Sequence, residues 1–206
     1  TLLGTIHREG ARRRGELEPV FGDRGFFESL RLEPYFGFTA SEVPEARRFL
    51  LDLIDETRAH IETLVHGDYS PKNILVHDDR LILLDHEVIH FGDPTFDLGF
   101  SMTHFLSKAH HLPERREQFV IANNAYWTRY RSMVADEPWA DDLDARAVRK
   151  TLGVMLARVR GRSPLEYLDE TERSRQADAI VTLMADPPGS IPELASAFIQ
   201  HISGLE

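Results

Sequence analysis

The run His66-Gly67-Asp68-Tyr69-Ser70-Pro71-Lys72-Asn73, and the run Leu81-Ile82-Leu83-Leu84-Asp85 that follows it, hold two carboxylates and an amide in an order that suits one kind of chemistry. The apolar runs Ile74 to Val76 and Leu81 to Leu84 flank the polar turn His77-Asp78-Asp79-Arg80, a pattern that predicts a β-hairpin with a four-residue loop. A hairpin brings its outer ends together, so Asp68 and Asn73 on one side meet Asp85 on the other. Such a set suits a hard, oxygen-seeking cation such as Mg²⁺, with one carboxylate left over as a base.

A second motif competes for the same residues. His86-Glu87-Val88-Ile89-His90 fits the HExxH pattern of zinc hydrolases, with His104, His110 or His111 as a third ligand. That chemistry needs both histidines on one helical face, whereas His86 directly follows an apolar strand pattern and Phe91-Gly92-Asp93-Pro94 ends any helix within a few residues. The zinc reading is therefore kept as a remote alternative.

The elements that must position these groups are mostly helical. Pro44 opens a helix with Ala46, Phe49, Leu50, Leu53, Ile54, Thr57, Ile61 and Leu64 on one face, which delivers the chain to His66. Gly92-Asp93-Pro94 predicts a turn, and a helix from Thr95 or Phe96 to Ala109 comes next. Pro113 starts another, to Val134. Asp141 can cap the next, whose stripe Val148, Thr151, Leu152, Met155 and Val159 stops at Gly161. Ser163-Pro164-Leu165-Glu166 and Ser190-Ile191-Pro192-Glu193 read as capping boxes that open short helices, and Ala177, Ile180, Val181 and Met184 mark one between them. Leu2 to His7 reads as the tail of a helix. Arg12-Arg13-Arg14 reads as a solvated basic loop, with a phosphate contact as the alternative. Phe21 to Phe38, rich in aromatics, reads as irregular packing on the core or as a wall for an apolar or cationic substrate.

The 206 residues suit a single domain, with a catalytic core at 64–99 and a helical subdomain at 100–206. The absence of cysteine excludes disulfides, thiolate metal sites and cysteine nucleophiles. No apolar run approaches a membrane span and no signal-peptide pattern opens the chain, so the expectation is a cytoplasmic protein with no membrane partner. The net charge of −10 argues against a nucleic-acid partner.

HGDYSPKNILV, LILLDHE and GDPTFDLGF together resemble the catalytic core of the aminoglycoside phosphotransferase and choline kinase-like family, relatives of the protein kinases; LLGTIH and RVRGRSPLEYL extend the resemblance more weakly. The resemblance implies an α+β, mostly helical fold like the C-terminal lobe of a kinase, with the hairpin carrying the active site. It also implies transfer of a phosphoryl group from ATP, with Mg²⁺, to a hydroxyl of a small molecule. Carried over by position, Asp68 is the base, and Asn73 and Asp85 hold Mg²⁺.

Supporting roles follow on the same ground. His66 orders the loop by hydrogen bonding. Ser70 stands where protein kinases carry a phosphate-contacting lysine, so that contact is lost or passes to the Ser70 hydroxyl or to Lys72. Asp97 accepts backbone N–H bonds from its own helix or from the catalytic loop, Asp93 supports the turn before Pro94, and Glu87 touches metal, water or substrate, or is merely an exposed acid. Kinase-like folds also hold the nucleotide under a Gly-rich loop and beside an N-lobe lysine. Upstream of His66 there is neither: the lysines are Lys72, Lys108 and Lys150, and Gly10, Gly15, Gly22 and Gly25 form no Gly-x-Gly-x-x-Gly. The expectation is a lobe without its N-terminal partner, binding ATP poorly alone and self-associating through the docking face so exposed. A kinase-like lobe that binds without turnover is the alternative from another functional class.

Overall fold

The computed structural model describes residues 1–204, most of them helical, with two small antiparallel sheets. Thr1 opens α1 (Leu2–Arg12) by accepting the Gly4 N–H on its hydroxyl at 3.1 Å, and α2 (Arg14–Phe21) follows. Arg12, Arg13 and Arg14, read from sequence as a loop, lie at this helical junction. They pair with Glu9, Glu16 and Glu18 within 2.7 Å at helical spacings, which favours helix over loop. The aromatic segment is helical too: α3 (Gly25–Phe27), a π-helical stretch Glu28–Gly37 and α4 (Phe38–Glu42) turn Phe27, Leu32, Tyr35 and Phe36 into the core.

After a 3-10 turn at Pro44–Ala46, α5 (Arg47–Ala59) ends earlier than its apolar spacing suggests. Leu64 belongs instead to β1 (Thr63–Val65), and the reason is a pairing partner distant in sequence. β1 runs antiparallel to β4 (His90–Gly92), with Leu64 opposite Phe91 and Val65 opposite His90. Apolar residues at 61 and 64, three apart, continue the helical stripe, so only the tertiary partner makes this segment a strand. α1 packs close against β1 because residue 10 is glycine: a Cβ there would lie 2.6 Å from Thr63 Oγ1.

The expected hairpin forms as β2 (Ile74–His77) and β3 (Arg80–Leu83). His77 pairs with Arg80, so the loop has only Asp78 and Asp79, at φ of 47° and 58°. Two consecutive left-handed residues match the twist of the strands, which a four-residue loop would not require. Leu75, Val76, Leu81 and Ile82 are exposed, giving the hairpin an uncovered apolar surface.

The remaining helices are α6 (Thr95–His111), α7 (Arg116–Met133), α8 (Leu143–Arg160), α9 (Glu170–Ala185) and α10 (Ile191–Gly204). α6 and α8 are buried along most of their length and meet at Gly99, where a Cβ would lie 2.9 Å from the Lys150 carbonyl carbon. Asp142, rather than Asp141, occupies the position before α8, and its carboxylate bonds the Arg146 Nε at 3.0 Å. Ser163 to Glu166 open no helix. There the Leu165 N–H returns to the Arg158 carbonyl, folding the segment against the end of α8, and the reciprocal capping box belongs to Asp169 and Glu172 at the start of α9. At α10 the Ser190 hydroxyl takes the Glu193 N–H, as the sequence suggests, whereas the Glu193 carboxylate takes the N–H of Gly189 and not that of Ser190. Among the described residues no helix is long and apolar enough to cross a membrane.

A charged cluster lies in the interior between α5, the β4–α6 turn and α8. The fully buried Lys150 ammonium sits 3.1 Å from Asp93 Oδ2 and bonds the Thr57 hydroxyl, and Arg146 reaches Asp93 Oδ1 at 3.2 Å and Glu62 at 3.0 Å. Removing one member of such a cluster leaves its partner charged and dry. Lys150→Met is therefore expected to cost about 3 kcal/mol of unfolding free energy, read by urea denaturation, and a variant as stable as the parent would show that the cluster does not hold the turn.

Candidate functional site

The loop 66–73 leaves β1 and enters β2, and one carboxylate fixes its path. Asp97, in the first turn of α6, accepts the His66 N–H on Oδ2 and the Gly67 N–H on Oδ1, both at 2.8 Å. Of the two possibilities offered by the sequence, its bonds thus go to the loop. Behind it His7 Nε2 lies 3.2 Å from Asp97 Oδ2, and His7 Nδ1 lies 2.7 Å from the Tyr130 hydroxyl. A carboxylate only accepts, so His7 donates from Nε2, and its Nδ1 shares a hydrogen bond with the Tyr130 hydroxyl. Gly67 adopts φ of +80°, and a Cβ there would lie 2.8 Å from Val88 Cγ2, so both conformation and space call for glycine.

His66 closes the loop onto the hairpin. Its Nε2 donates to the Leu84 carbonyl at 2.9 Å while its Nδ1 accepts the Asp68 N–H at 3.3 Å. Asn73 Nδ2 donates to the Asp68 carbonyl at 2.9 Å, which leaves the amide oxygen of Asn73 as a free donor atom for a cation. The Leu84 N–H bonds the Asn73 carbonyl at 2.8 Å and thereby sets Asp85 beside Asn73 at the open end of the hairpin. Asp85 is exposed and adopts φ of 64°, a left-handed conformation in which a non-glycine residue carries strain. Asn73 and Asp85 offer Mg²⁺ an amide oxygen and a carboxylate, hard oxygen donors that fit its preference.

Asp68 is almost fully buried, and two cations meet its Oδ2: Arg31 from the π-helical stretch at 3.2 Å and Lys72 at 3.3 Å. Arg31 also bonds the Gly67 carbonyl at 3.1 Å, so it braces the loop as well as the carboxylate. Glu87 is exposed, 3.8 Å from the same guanidinium. Ser70 is buried with its hydroxyl unpartnered. Asp93 faces away from this group; its Oδ1 takes the Thr95 N–H at 2.9 Å and hydroxyl at 2.6 Å, and it serves the interior charge cluster.

The structure overturns the zinc reading. His86 to Ile89 form a turn, and His90 belongs to β4, so the two histidines do not share a helical face. His90 is buried, donates from Nδ1 to the Val88 carbonyl at 2.8 Å and stacks on Phe27 with ring centroids 3.9 Å apart. Burial pushes its imidazole down to about 4.

A cavity of about 430 Å³ opens beside Asp68, walled by Arg31, Tyr35, Ser70, His104 and Arg158 and by the 163–167 segment. A family model described as the phosphotransferase enzyme family matches residues 3–133. The chain belongs to that family. No curated protein matches it.

The phosphotransferase family match contains every side chain of the loop and hairpin but ends before α8, which supplies Arg146, Lys150 and Arg158. Sequence reasoning passed over these three and over His7 and Arg31. Lys150 had one available signal, its place beside the apolar stripe of Val148, Thr151 and Leu152. Arg31 had none, because a π-helical phase and not a helical or strand period aims it at the loop.

Asp97 and Asp93, the two carboxylates that anchor the loop and the turn before α6, carry the same electrostatic balance. Burial is the largest influence and pushes Asp97 up, yet His7, His66 and the His66 N–H outweigh it and hold the carboxyl below the ordinary range. Asp93 is likewise raised by burial and lowered further by Lys150, Arg146 and Thr95. A native pKa below the unfolded value of about 4 means that these groups stabilise above that pH, and the stability is lost as the pH falls through the lower native values. Asp97→Asn is expected to lower stability at neutral pH by about 1–3 kcal/mol, as a weaker acceptor faces the same buried donors, and to flatten the acid limb. Denaturant midpoints measured between about pH 2 and pH 7 check both; a variant with the parent's acid slope would contradict the assignment.

Proposed function

We propose that the chain transfers the γ-phosphoryl group of ATP to a hydroxyl of a small molecule in the cytoplasm, with the acceptor in the cavity beside Asp68. The observation that carries this reading is the conjunction of a buried, loop-borne carboxylate facing a polar cavity with the oxygen donors of Asn73 and Asp85 beside it. In kinase-like phosphoryl transfer the protein positions the reactants and stabilises charge, and little else is needed. Arg31 and Lys72 both engage Asp68 Oδ2, which leaves Oδ1 to orient the acceptor hydroxyl and take its proton. Asn73 and Asp85 would hold Mg²⁺, which supplies charge neutralisation at the phosphates when bound.

Among the described residues upstream of His66 the only strand is the three-residue β1, which pairs with β4, and no lysine precedes Lys72, so the phosphates meet a grip from the loop and hairpin side only. Binding of Mg·ATP by the 206 residues is therefore weak, and the exposed apolar hairpin favours self-association. Calorimetry giving a dissociation constant in the low micromolar range would contradict this.

A second reading, ligand binding without turnover, draws on the two cations already seated on Asp68. Turnover at saturating Mg·ATP separates the two. Asp68→Asn is expected to lower kcat by about 10²- to 10⁴-fold while keeping the fold, because the amide orients the hydroxyl but cannot accept its proton. Asp85→Ala should abolish Mg²⁺-dependent turnover and the exposed His86→Ala should not. Unchanged turnover in the Asp68 variant would remove the base from the mechanism.

A further inference from the structure

The cavity beside Asp68 holds a cation that the transfer chemistry leaves unused. Arg158, near the end of α8, is half-buried, and its guanidinium bonds only neutral groups: the Ser163 carbonyl, the Ser163 hydroxyl at 3.1 Å and the Tyr35 hydroxyl at 3.3 Å. Among the described residues no carboxylate lies within ion-pair distance of it, and its Nε is buried without a partner. Its neighbours differ, for Arg160 pairs with Glu170 and Arg162 with Glu33. In a chain with a net charge of −10, the lack of a counter-charge at this arginine is not for want of acids.

The other walls agree. Ser70, 1% exposed, presents a hydroxyl with no partner. His104 is neutral at physiological pH, since burial and then the charge of Arg158 push its imidazole down to about 4. The cavity's carboxylates are Asp68, already met by Arg31 and Lys72, and Glu166, which is exposed at the rim. A cationic alcohol would enter against three cations and find one free acid, at the solvent edge. An anionic one would find a half-dry guanidinium and an idle hydroxyl.

We propose that the acceptor is a small anionic alcohol, carrying a carboxylate or a phosphate ester, and that Arg158 and the Ser70 hydroxyl receive its anionic group while Asp68 faces its hydroxyl. This rests on the phosphotransferase reading of the site. The cavity volume of about 430 Å³ lies in the range of small-molecule sites. A charge-assisted bond to a guanidinium is worth roughly a ten- to hundredfold change in affinity.

The test is calorimetric titration of the 206-residue protein, without nucleotide, using D-glycerate and glycerol 3-phosphate as anionic probes, choline as a cationic one and glycerol as a neutral one. The expected result is that at least one anionic probe binds more tightly than choline or glycerol, the preferred one telling carboxylate from phosphate. Arg158→Gln should weaken that binding about ten- to hundredfold, Arg158→Lys should keep part of it, and Arg158→Gln should leave Mg·ADP binding unchanged. Tighter binding of choline, binding by neither anionic probe, an Arg158→Gln variant with full affinity, or an equal loss of Mg·ADP affinity would each overturn the inference. If Arg158→Gln does not fold, Ser70→Ala carries the comparison, since its hydroxyl bonds nothing in the folded chain; weaker binding supports the inference and unchanged binding overturns it. Phosphoryl transfer to choline and not to glycerate would leave the phosphotransferase reading standing and remove this one, whereas anion binding at Arg158 without any transfer would do the reverse.

Discussion

The contact on which the site depends is the Asp97 carboxylate holding the His66 and Gly67 N–H groups. Both donors are buried in a loop with no strand partner at that point, so without an acceptor they would cost the loop its conformation. A carboxylate meets two of them at once, and its position in the first turn of α6 adds the favourable end of a helix dipole. His7 and Tyr130 extend the contact to α1 and α7, so three helices agree on where the loop sits. The loop in turn sets Asp68 and, through His66 and Leu84, the end of the hairpin that carries Asp85.

A second buried acid performs the complementary task one turn earlier. Asp93 caps Thr95 and is neutralised by Lys150 and Arg146, which tie the start of α6 to α8. Two buried carboxylates four residues apart are tolerable because each has its own partners: backbone donors and a histidine for Asp97, full cations for Asp93. Exchanging those partners would leave a cation unpaired in one place and surplus negative charge in the other. The close approach of α6 to α8 at Gly99 belongs to the same arrangement, since it brings Lys150 within reach of Asp93.

How much of this was legible in the sequence depended on range. The hairpin, α6 to α10 and the loop residues Asp68, Asn73 and Asp85 were readable, because alternation, caps and motif spacing are local signals. β1 was not, since Leu64 continues a helical stripe and only its pairing with Phe91 makes it a strand. The π-helical phase of Glu28–Gly37 hid Arg31, and the capping pattern at Ser163 lost to the return bond from Leu165 to Arg158. The HExxH match failed for the opposite reason: its spacing was right and its backbone was not helical. The family was more legible than the packing, as its motifs concentrate in one stretch while packing recruits residues from the whole chain.

The claim that the anchored loop and the hairpin together form one cation site is tested most directly by titrating Mn²⁺ into the ¹⁵N-labelled protein and mapping paramagnetic line broadening. The account predicts broadening centred on the Asn73 side-chain amide and Asp85, competed away by Mg²⁺. Broadening centred on His86 and His90, or spread over the surface carboxylates with no focus at the hairpin end, would contradict it.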